Sequence, residues 1–321
     1  ANTLIWSRKG GLLINQPSVV ALDKASGKIV AVGSEAKTFM GRTPDKIEVL
    51  RPLKDGVIAD FDVTKTMIST FIRKVVSGGK LLRPRIVIGV PTCITQVEKR
   101  AVIESAEQAG CREVRLVEEP MAAAIGAELP IQEPKGSMVL DIGGGTSEVA
   151  VITLSAIAYF EAARIAGDEM NEAVQRYMQD SFKLLIGENT AENLKIRLGS
   201  AAPLEEPLSM SVSGKYIVDG SPRAVTVTDE HIREALQESV RLMISLVIKA
   251  LEKTPPELIR DVYDNGMLLA GGGGLLKNLD QAISEAANIK VFVDSDPLTT
   301  VVRGAGCVLA EPSRYADVFI N

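Results

Sequence analysis

Between Met138 and Leu154 the chain reads MVLDIGGGTSEVAVITL, two apolar runs separated by three consecutive glycines. Met138 to Leu140 reads as a short buried strand ending on Asp141, and Ser147 to Leu154, rich in β-branched residues, as a second strand. The pattern is therefore a glycine turn inside a β-hairpin. Neither strand–GxxxxGK[ST]–helix nor strand–GxGxxG–helix fits, because a strand and not a helix follows the glycines. With no Cβ on Gly143, Gly144 or Gly145, successive backbone N–H groups can point at an anion. Thr146 adds a hydroxyl at the rim, and Asp141 sets a carboxylate where a hydrated divalent cation would sit. A bare glycine run can be no more than a flexible turn. The flanking aspartate and threonine favour a phosphate loop with a nucleotide as its ligand.

A second glycine segment, MLLAGGGGLLKNL from Met267 to Leu279, runs from a buried strand towards a helix expected over Leu275–Ala287. Helix N–H groups and close backbone approach would be open to a ligand there; tight strand–helix packing is the simpler alternative. Two such segments favour one ligand gripped from both sides. Glu118-Glu119-Pro120 precedes a short helix, MAAAIGA. A carboxylate at a helix N-terminus gains about 0.3–1 kcal/mol whatever its function, and the pair leaves one glutamate to orient water. Attack of water on a γ-phosphate needs such positioning more than a strong base. Glu192 and Lys195 lie three apart on one helical face, by default a surface ion pair.

The remaining signals set the frame. At 321 residues the chain suits two domains or two halves of one. Hydrophobic residues make up 46% and charged residues 24%, as in a soluble globular protein. A net charge of −5 and 4% aromatic residues argue against a general nucleic-acid binder. Cys93, Cys111 and Cys307 form no CxxC, and His231 is the single histidine, so buried reduced thiols in a cytosolic protein are expected rather than a zinc site. No apolar run approaches the ~20 residues of a membrane span, and no signal peptide is visible. The chain opens mid-strand at Thr3–Trp6 without a methionine, which reads as a truncated or incompletely given N-terminus.

Short strands are expected through Val32, then a loop-rich stretch from Glu35 to Asp60 and a helix over Thr64–Val76. Ile86–Val90 and Val114–Val117 read as strands around a helix that Thr95 and Glu98 cap as a box and Gly110 ends. Hairpins with turns at Ser213–Gly214 and Gly220–Pro222 are expected between Pro203 and Val227. Thr228 caps a long helix, Pro255 opens another, and a last helix covers Thr299–Leu309. A mixed sheet flanked by helices, made twice, would leave a ligand cleft between its halves.

These segments, read together, resemble the MreB family of bacterial actin-like filament proteins, within the actin, sugar-kinase and DnaK-type chaperone superfamily. The likeness runs end to end. It is carried by KDGVIADF (Lys54–Phe61), RPRIVIGVP (Arg83–Pro91), VEKRAVIESAEQAG (Val97–Gly110), EEPMAAAIGAELP (Glu118–Pro130) and DIGGGTSEVAVI (Asp141–Ile152). RIAGDEM (Arg164–Met170), LLIGENTAENLKI (Leu184–Ile196), LEKTPPEL (Leu251–Leu258) and AGGGGLLKNLD (Ala270–Asp280) complete it.

The resemblance implies an α/β actin-like ATPase fold of two RNase H-like halves, each with a small inserted subdomain, around a nucleotide cleft. Residues 1–20, 63–132 and 305–321 would form the first core and 21–62 its small subdomain. Residues 133–168 and 240–304 would form the second core and 169–239 its insert. Gly143, Gly144, Gly145 and Thr146 match the family's second phosphate loop, and Asp141 its carboxylate that holds magnesium through water. Glu119 matches the residue holding the hydrolytic water, with Thr146 as companion. Glu192, Asn193, Leu194 and Lys195 match the nucleoside-contacting helix. Gly272, Gly273, Gly274 and Leu275 match the adenosine-side loop, with Gly274 where the family usually has another small residue. Ala1, Asn2 and Thr3 match only the tail of the first phosphate loop, whose aspartate is not in this sequence.

The implied function is a cytoskeletal ATPase that binds ATP and Mg²⁺. It would polymerise into paired protofilaments at the inner membrane surface and work with the cell-wall elongation machinery in rod-shaped growth. A nucleotide-independent scaffold filament, a chaperone-type ATPase and a sugar-kinase-type ATPase are the alternatives. Phe71 to Arg85 carries Arg73, Lys74, Lys80, Arg83 and Arg85 without an acidic residue. Within it Leu81-Leu82 either enter the core or form a loop tip that inserts into the inner leaflet, as the family's hydrophobic pair does.

Overall fold

The computed structural model describes residues 2–54, 57–75 and 84–320. They fall into two units. The first takes the chain up to Lys135, then Ile152–Ala158 and everything from Leu298; the second takes Gly136–Val151 and Tyr159–Pro297.

In the first unit, β1 (Asn2–Ser7) and β2 (Gly11–Pro17) form an antiparallel hairpin with a bulge between Ile5 and Trp6. β3 (Val20–Asp23) lies between β4 (Ile29–Val32) and β5 (Ile47–Leu50) in an antiparallel sheet. The stretch expected to be loop-rich holds α1 (Ser34–Phe39), β5, β6 (Leu53–Lys54) and β7 (Val57–Ile58). Ile47 and Val49, alternating with charged neighbours, pack with Ala36 of α1 against Val19, Ala21 and Ala31. Four residues, with the charge of Glu48 between Ile47 and Val49, make a period-two pattern too short to read from the sequence.

α2 (Phe61–Val75) starts three residues before its expected position. Its Val63, Met67 and Phe71, at i, i+4 and i+8, join Ile14, Val20 and Val32 in one core cluster. β8 (Arg85–Val90) and β9 (Glu113–Glu118) pair in parallel, with α3 (Gln96–Gln108) crossing between them. The Thr95 box forms as expected: Glu98 N donates to Thr95 Oγ1 at 3.3 Å and Thr95 N to Glu98 Oε2 at 2.8 Å. α4 (Glu119–Gly126) follows β9 directly.

The second unit is built on a five-stranded sheet. β10 (Ser137–Ile142) is buried at every residue, and β11 (Ser147–Thr153) at all but the last. β12 (Ala156–Ala163), a strand not expected from its mixed alanine-rich sequence, closes the antiparallel side. Then come α5 (Gly167–Phe182), the short β13 (Leu184–Leu185) and α6 (Glu188–Leu198). β14 (Ser209–Tyr216) and β15 (Pro222–Thr228) make a single hairpin. Ser213–Gly214, expected as a turn, lies inside β14, where a Cβ on Gly214 would come within 2.5 Å of Leu185 O; the glycine serves close approach and not a turn. α7 (Asp229–Lys253) carries a second capping box, in which Thr228 N donates to His231 Nδ1 at 3.1 Å. α8 (Pro256–Asn265), β16 (Met267–Ala270), a 3₁₀ turn at Gly272–Leu275, α9 (Leu279–Ala287) and β17 (Val291–Val293) complete this unit. Strand order is β12-β11-β10-β16-β17, with β10, β16 and β17 parallel. α10 (Thr300–Ala310) returns to the first unit.

Of the cysteines expected to be buried, only Cys111 is; Cys93 and Cys307 are exposed. Cys93 sits in the turn after Pro91, and Cys307 on the outer face of α10. Among the described residues no helix is long and apolar enough to cross a membrane.

Candidate functional site

The parallel pairing of β10 with β16 sets Asp141 beside Ala270. Both glycine segments therefore leave the sheet from the carboxyl ends of adjacent strands, the edge where open α/β sheets bind ligands. The first forms a four-residue turn between β10 and β11, closed by Gly143 N donating to Thr146 O at 2.9 Å. The amides of Gly167 and Asp168 in the first turn of α5 donate to Gly143 O at 3.2 Å and Gly144 O at 2.7 Å. None of Gly143, Gly144 and Gly145 is among the described glycines with left-handed backbone. Thr146, expected at the rim, is 8% exposed. It leads into Ser147 and Glu148, both buried, and is drawn down with them.

Gly271 does need its residue type. Its φ is 78°, and a Cβ there would overlap Ile142 O and lie 2.5 Å from Asp141 Oδ1. A Cβ on Gly273 would run into the Ile142 side chain. The backbone of one loop is thus pressed on the other. The helix expected to begin at Leu275 begins at Leu279 instead, and Gly272–Leu275 is a 3₁₀ turn. Two of the three intervening residues are used elsewhere: Ala201 N donates to Lys277 O at 2.8 Å and Asn278 Nδ2 to Pro203 O at 3.0 Å. Helix-terminal amides are consequently not what Gly272, Gly273, Gly274 and Leu275 offer. Gly274 is buried, and Leu275 is exposed.

Asp141 is 5% exposed and Glu148 1%. Burial, with the charge of Glu148 adding to it, pushes the Asp141 carboxyl up to about 7. Asp141 Oδ1 has no hydrogen-bond partner among the described residues. An orphaned carboxylate oxygen beside a glycine cradle fits a divalent cation held through water. Sequence reasoning passed over Glu148, although an acid inside the apolar run SEVAVIT was a visible signal. The shift has a stability consequence. The folded state keeps a proton on Asp141 that the unfolded chain releases near its ordinary value of 3.8. Stability without ligand therefore falls as pH rises from about 4 to 7, each pKa unit being about 1.4 kcal/mol. Asp141→Asn is expected to flatten this slope and to melt above the wild type at pH 8. Thermal melts at pH 5 and pH 8 check it; a mutant less stable than wild type at pH 8 would refute the strained-carboxylate account.

Glu119 opens α4 in the first unit, with Glu118 as N-cap and Pro120 in the first turn. It is half-buried. Gly89 in β8 faces it: a Cβ there would make ordinary contact with Glu119 Cγ at 3.5 Å. Burial raises the Glu118 carboxyl, partly countered by the charge of Lys99. α4 is fixed by α10: Arg303 Nη2 donates to Gly126 O at 3.2 Å, and Gly126 and Gly304 meet where the helices cross.

The remaining predicted residues divide as follows. In α6, Lys195 Nζ donates to Gly167 O at 2.8 Å, which ties this helix to α5 and the first loop. Glu192 is half-buried, and Asn193 is exposed with its Oδ1 accepting from Arg197 Nε at 3.1 Å. Leu194 is fully buried in the core of the second unit, so its side chain anchors α6 and does not reach a ligand. Asn2 Nδ2 donates to Asn15 Oδ1 at 2.7 Å. Ala1, Leu81 and Leu82 lie outside the described residues. The second unit thus gathers Asp141, Gly143–Thr146, α6 and Gly272–Leu275.

This is the fold of the actin-like proteins. The solved MamK double helical filament superposes with a TM-score of 0.81 at 20% identity, over 97% of this chain and 98% of that one. Residues 1–317 match the family described as MreB/Mbl protein; the chain belongs to the MreB/Mbl family. It is 50% identical over 314 residues to the cell shape-determining protein MreB of Escherichia coli K12, covering 96% of this chain and 90% of that protein. It is 45% identical over 309 residues to the cell shape-determining protein Mbl of Bacillus subtilis 168, covering 96% and 93%. The crystal structure of MreB5 of Spiroplasma citri bound to AMPPNP matches with a TM-score of 0.93 at 29% identity, over 99% of this chain and 95% of that one. The ADP-bound form gives 0.93 at 30%.

Proposed function

We propose that this chain is a slow ATPase that binds ATP with Mg²⁺ and polymerises into membrane-associated filaments that guide cell-wall elongation and rod shape. The observation that carries the reading is the pairing of Asp141 with Ala270, which sets two glycine loops side by side around a buried, unsatisfied carboxylate. The AMPPNP and ADP bound by the Spiroplasma relative support the same ligand here. Gly143, Gly144, Gly145 and Thr146 would receive the phosphates. Asp141 would hold Mg²⁺ through water, and the ion would supply charge neutralisation on the phosphates. Glu192 and Lys195 with Gly272–Leu275 would face the nucleoside, and Glu119 would orient the attacking water. The four-subdomain division, with inserts at 21–62 and 169–239, belongs to this proposal, as does a cytoplasmic location at the inner membrane. A match over residues 1–317 to the shape-determining family favours this reading over the chaperone and kinase alternatives.

Filaments of one protein need a heterologous contact that does not close, and nucleotide is expected to control it. The chain should pellet with ATP and Mg²⁺ and stay in solution without them. It should also co-pellet with anionic liposomes through Leu81 and Leu82, each basic neighbour adding ~1 kcal/mol at such a surface. Equal pelleting with and without ATP would establish the nucleotide-independent scaffold instead. If Leu81→Ser/Leu82→Ser still co-pelleted, the anchor lies elsewhere.

A further inference from the structure

Lys195 is expected on the nucleoside side, yet its Nζ donates to Gly167 O at 2.8 Å. That carbonyl belongs to the same peptide group as Asp168 N–H, which donates to Gly144 O at 2.7 Å. One amide plane therefore carries an ammonium on its oxygen and the phosphate-loop carbonyl on its hydrogen. A cation on an amide oxygen draws density from the nitrogen and makes its N–H a stronger donor. The fit is close. A Cβ on Gly167 would sit 3.4 Å from both Lys195 Nζ and Gly143 O, and 3.6 Å from Gly144 Cα.

The mounting of Lys195 is rigid. α6 is seated by buried Ala191, Leu194 and Leu198. Its carboxyl end is fastened to the second glycine segment, because Lys277 Nζ donates to Arg197 O and Ser200 bridges to Lys277. α6 is thus bonded to both loops, to one through Lys277 and to the other through Lys195.

We propose that Lys195 is a positioning residue that sets the phosphate loop through the Gly167–Asp168 peptide, so that nucleoside engagement by α6 and grip on the phosphates are coupled. The inference rests on the nucleotide-binding reading given above. It separates Lys195 from a plain nucleoside contact. Loss of the ammonium then weakens ligands in proportion to their phosphates, although the side chain arises from the nucleoside helix.

The test uses the full chain as Lys195→Met and Lys195→Arg, with ATP and adenosine each displacing a fluorescent ATP analogue. Lys195→Met is expected to weaken ATP about tenfold, the scale of one lost charge-assisted hydrogen bond, and adenosine by less than about twofold. Lys195→Arg is expected to recover most of the difference. Hydrogen exchange without ligand should show the Asp168 amide exchanging faster in Lys195→Met than in wild type. Equal loss for ATP and adenosine would overturn the proposal and leave a nucleoside contact, and so would unchanged Asp168 exchange. Wild-type protein that binds neither ligand would instead overturn the nucleotide reading, and this inference with it. Should Lys195→Met fail to fold, Lys195→Gln, a neutral donor, carries the same comparison.

Discussion

Replacing Glu119 by alanine is expected to leave ATP bound and to slow phosphate release by about 10²–10³-fold, the usual loss when one preorganised polar group is removed from a reacting centre. Several features point to this residue. It is the first residue of α4, so Pro120 and the buried run Met121 to Ile125 fix where its backbone stands. Its stem lies against Gly89 of β8. Apart from Ala1 and Asn2, the groups assigned to phosphates and nucleoside belong to the second unit and not to α4, so binding should survive the mutation. Single-turnover phosphate release beside fluorescent-nucleotide affinity separates the two quantities. Unchanged turnover would remove Glu119 from the role, and Glu118 would be tested next. Weakened affinity with intact turnover would mean that the glutamate holds nucleotide and not water.

What the sequence made legible was mostly local. The hairpin around Gly143–Gly145, the Thr95–Glu98 box and the Glu-Pro start of α4 each depend on residues a few positions apart, and each stands where it was expected. The roles assigned to those residues came from the resemblance, because spacing alone left a flexible turn or a surface ion pair equally open. Features that depend on distant partners were not legible. Gly214 looked like a turn because nothing near it in sequence reveals Leu185 O. Thr146 looked like a rim residue because the pull of buried Ser147 and Glu148 is a property of the sheet. Leu194 sat inside a matching motif, and only the packed core shows that its side chain faces away from any ligand. Lys277 and Asn278 delay α9 by bonding to residues 75 or more positions away.

The crossing of α4 and α10 is a further long-range feature, and it yields the largest expected effect on stability. A Cβ on Gly304 would overlap Ala122 O and lie 2.6 Å from its carbon and 3.0 Å from Gly126 N. Gly126 is reciprocally placed, its Cβ meeting Gly304 N at 2.9 Å and overlapping Thr300 O. Every obstacle is backbone, so no rotamer change relieves Gly304→Ala; the helices must move apart. Within an isolated helix alanine is favoured over glycine by about 1 kcal/mol. Overpacking a close crossing costs typically 1–3 kcal/mol and occasionally more. Rigid obstacles put this site at the upper end, so packing should win over propensity. The expected result is a melting temperature lower by a few degrees, at about 1–2 °C per kcal/mol for a chain of 321 residues. Because α4 carries Glu119 at its start, turnover should fall as well, and by more than nucleotide affinity. Gly187→Ala is the control for a Cβ that meets nothing within 4 Å; as the N-cap of α6 it should cost no more than the ~1 kcal/mol of a weaker cap and should leave the α4–α10 crossing untouched. A Gly304→Ala protein that melted at or above the wild type with full turnover would show that the two helices separate freely, and that α10 does not fix the position of Glu119.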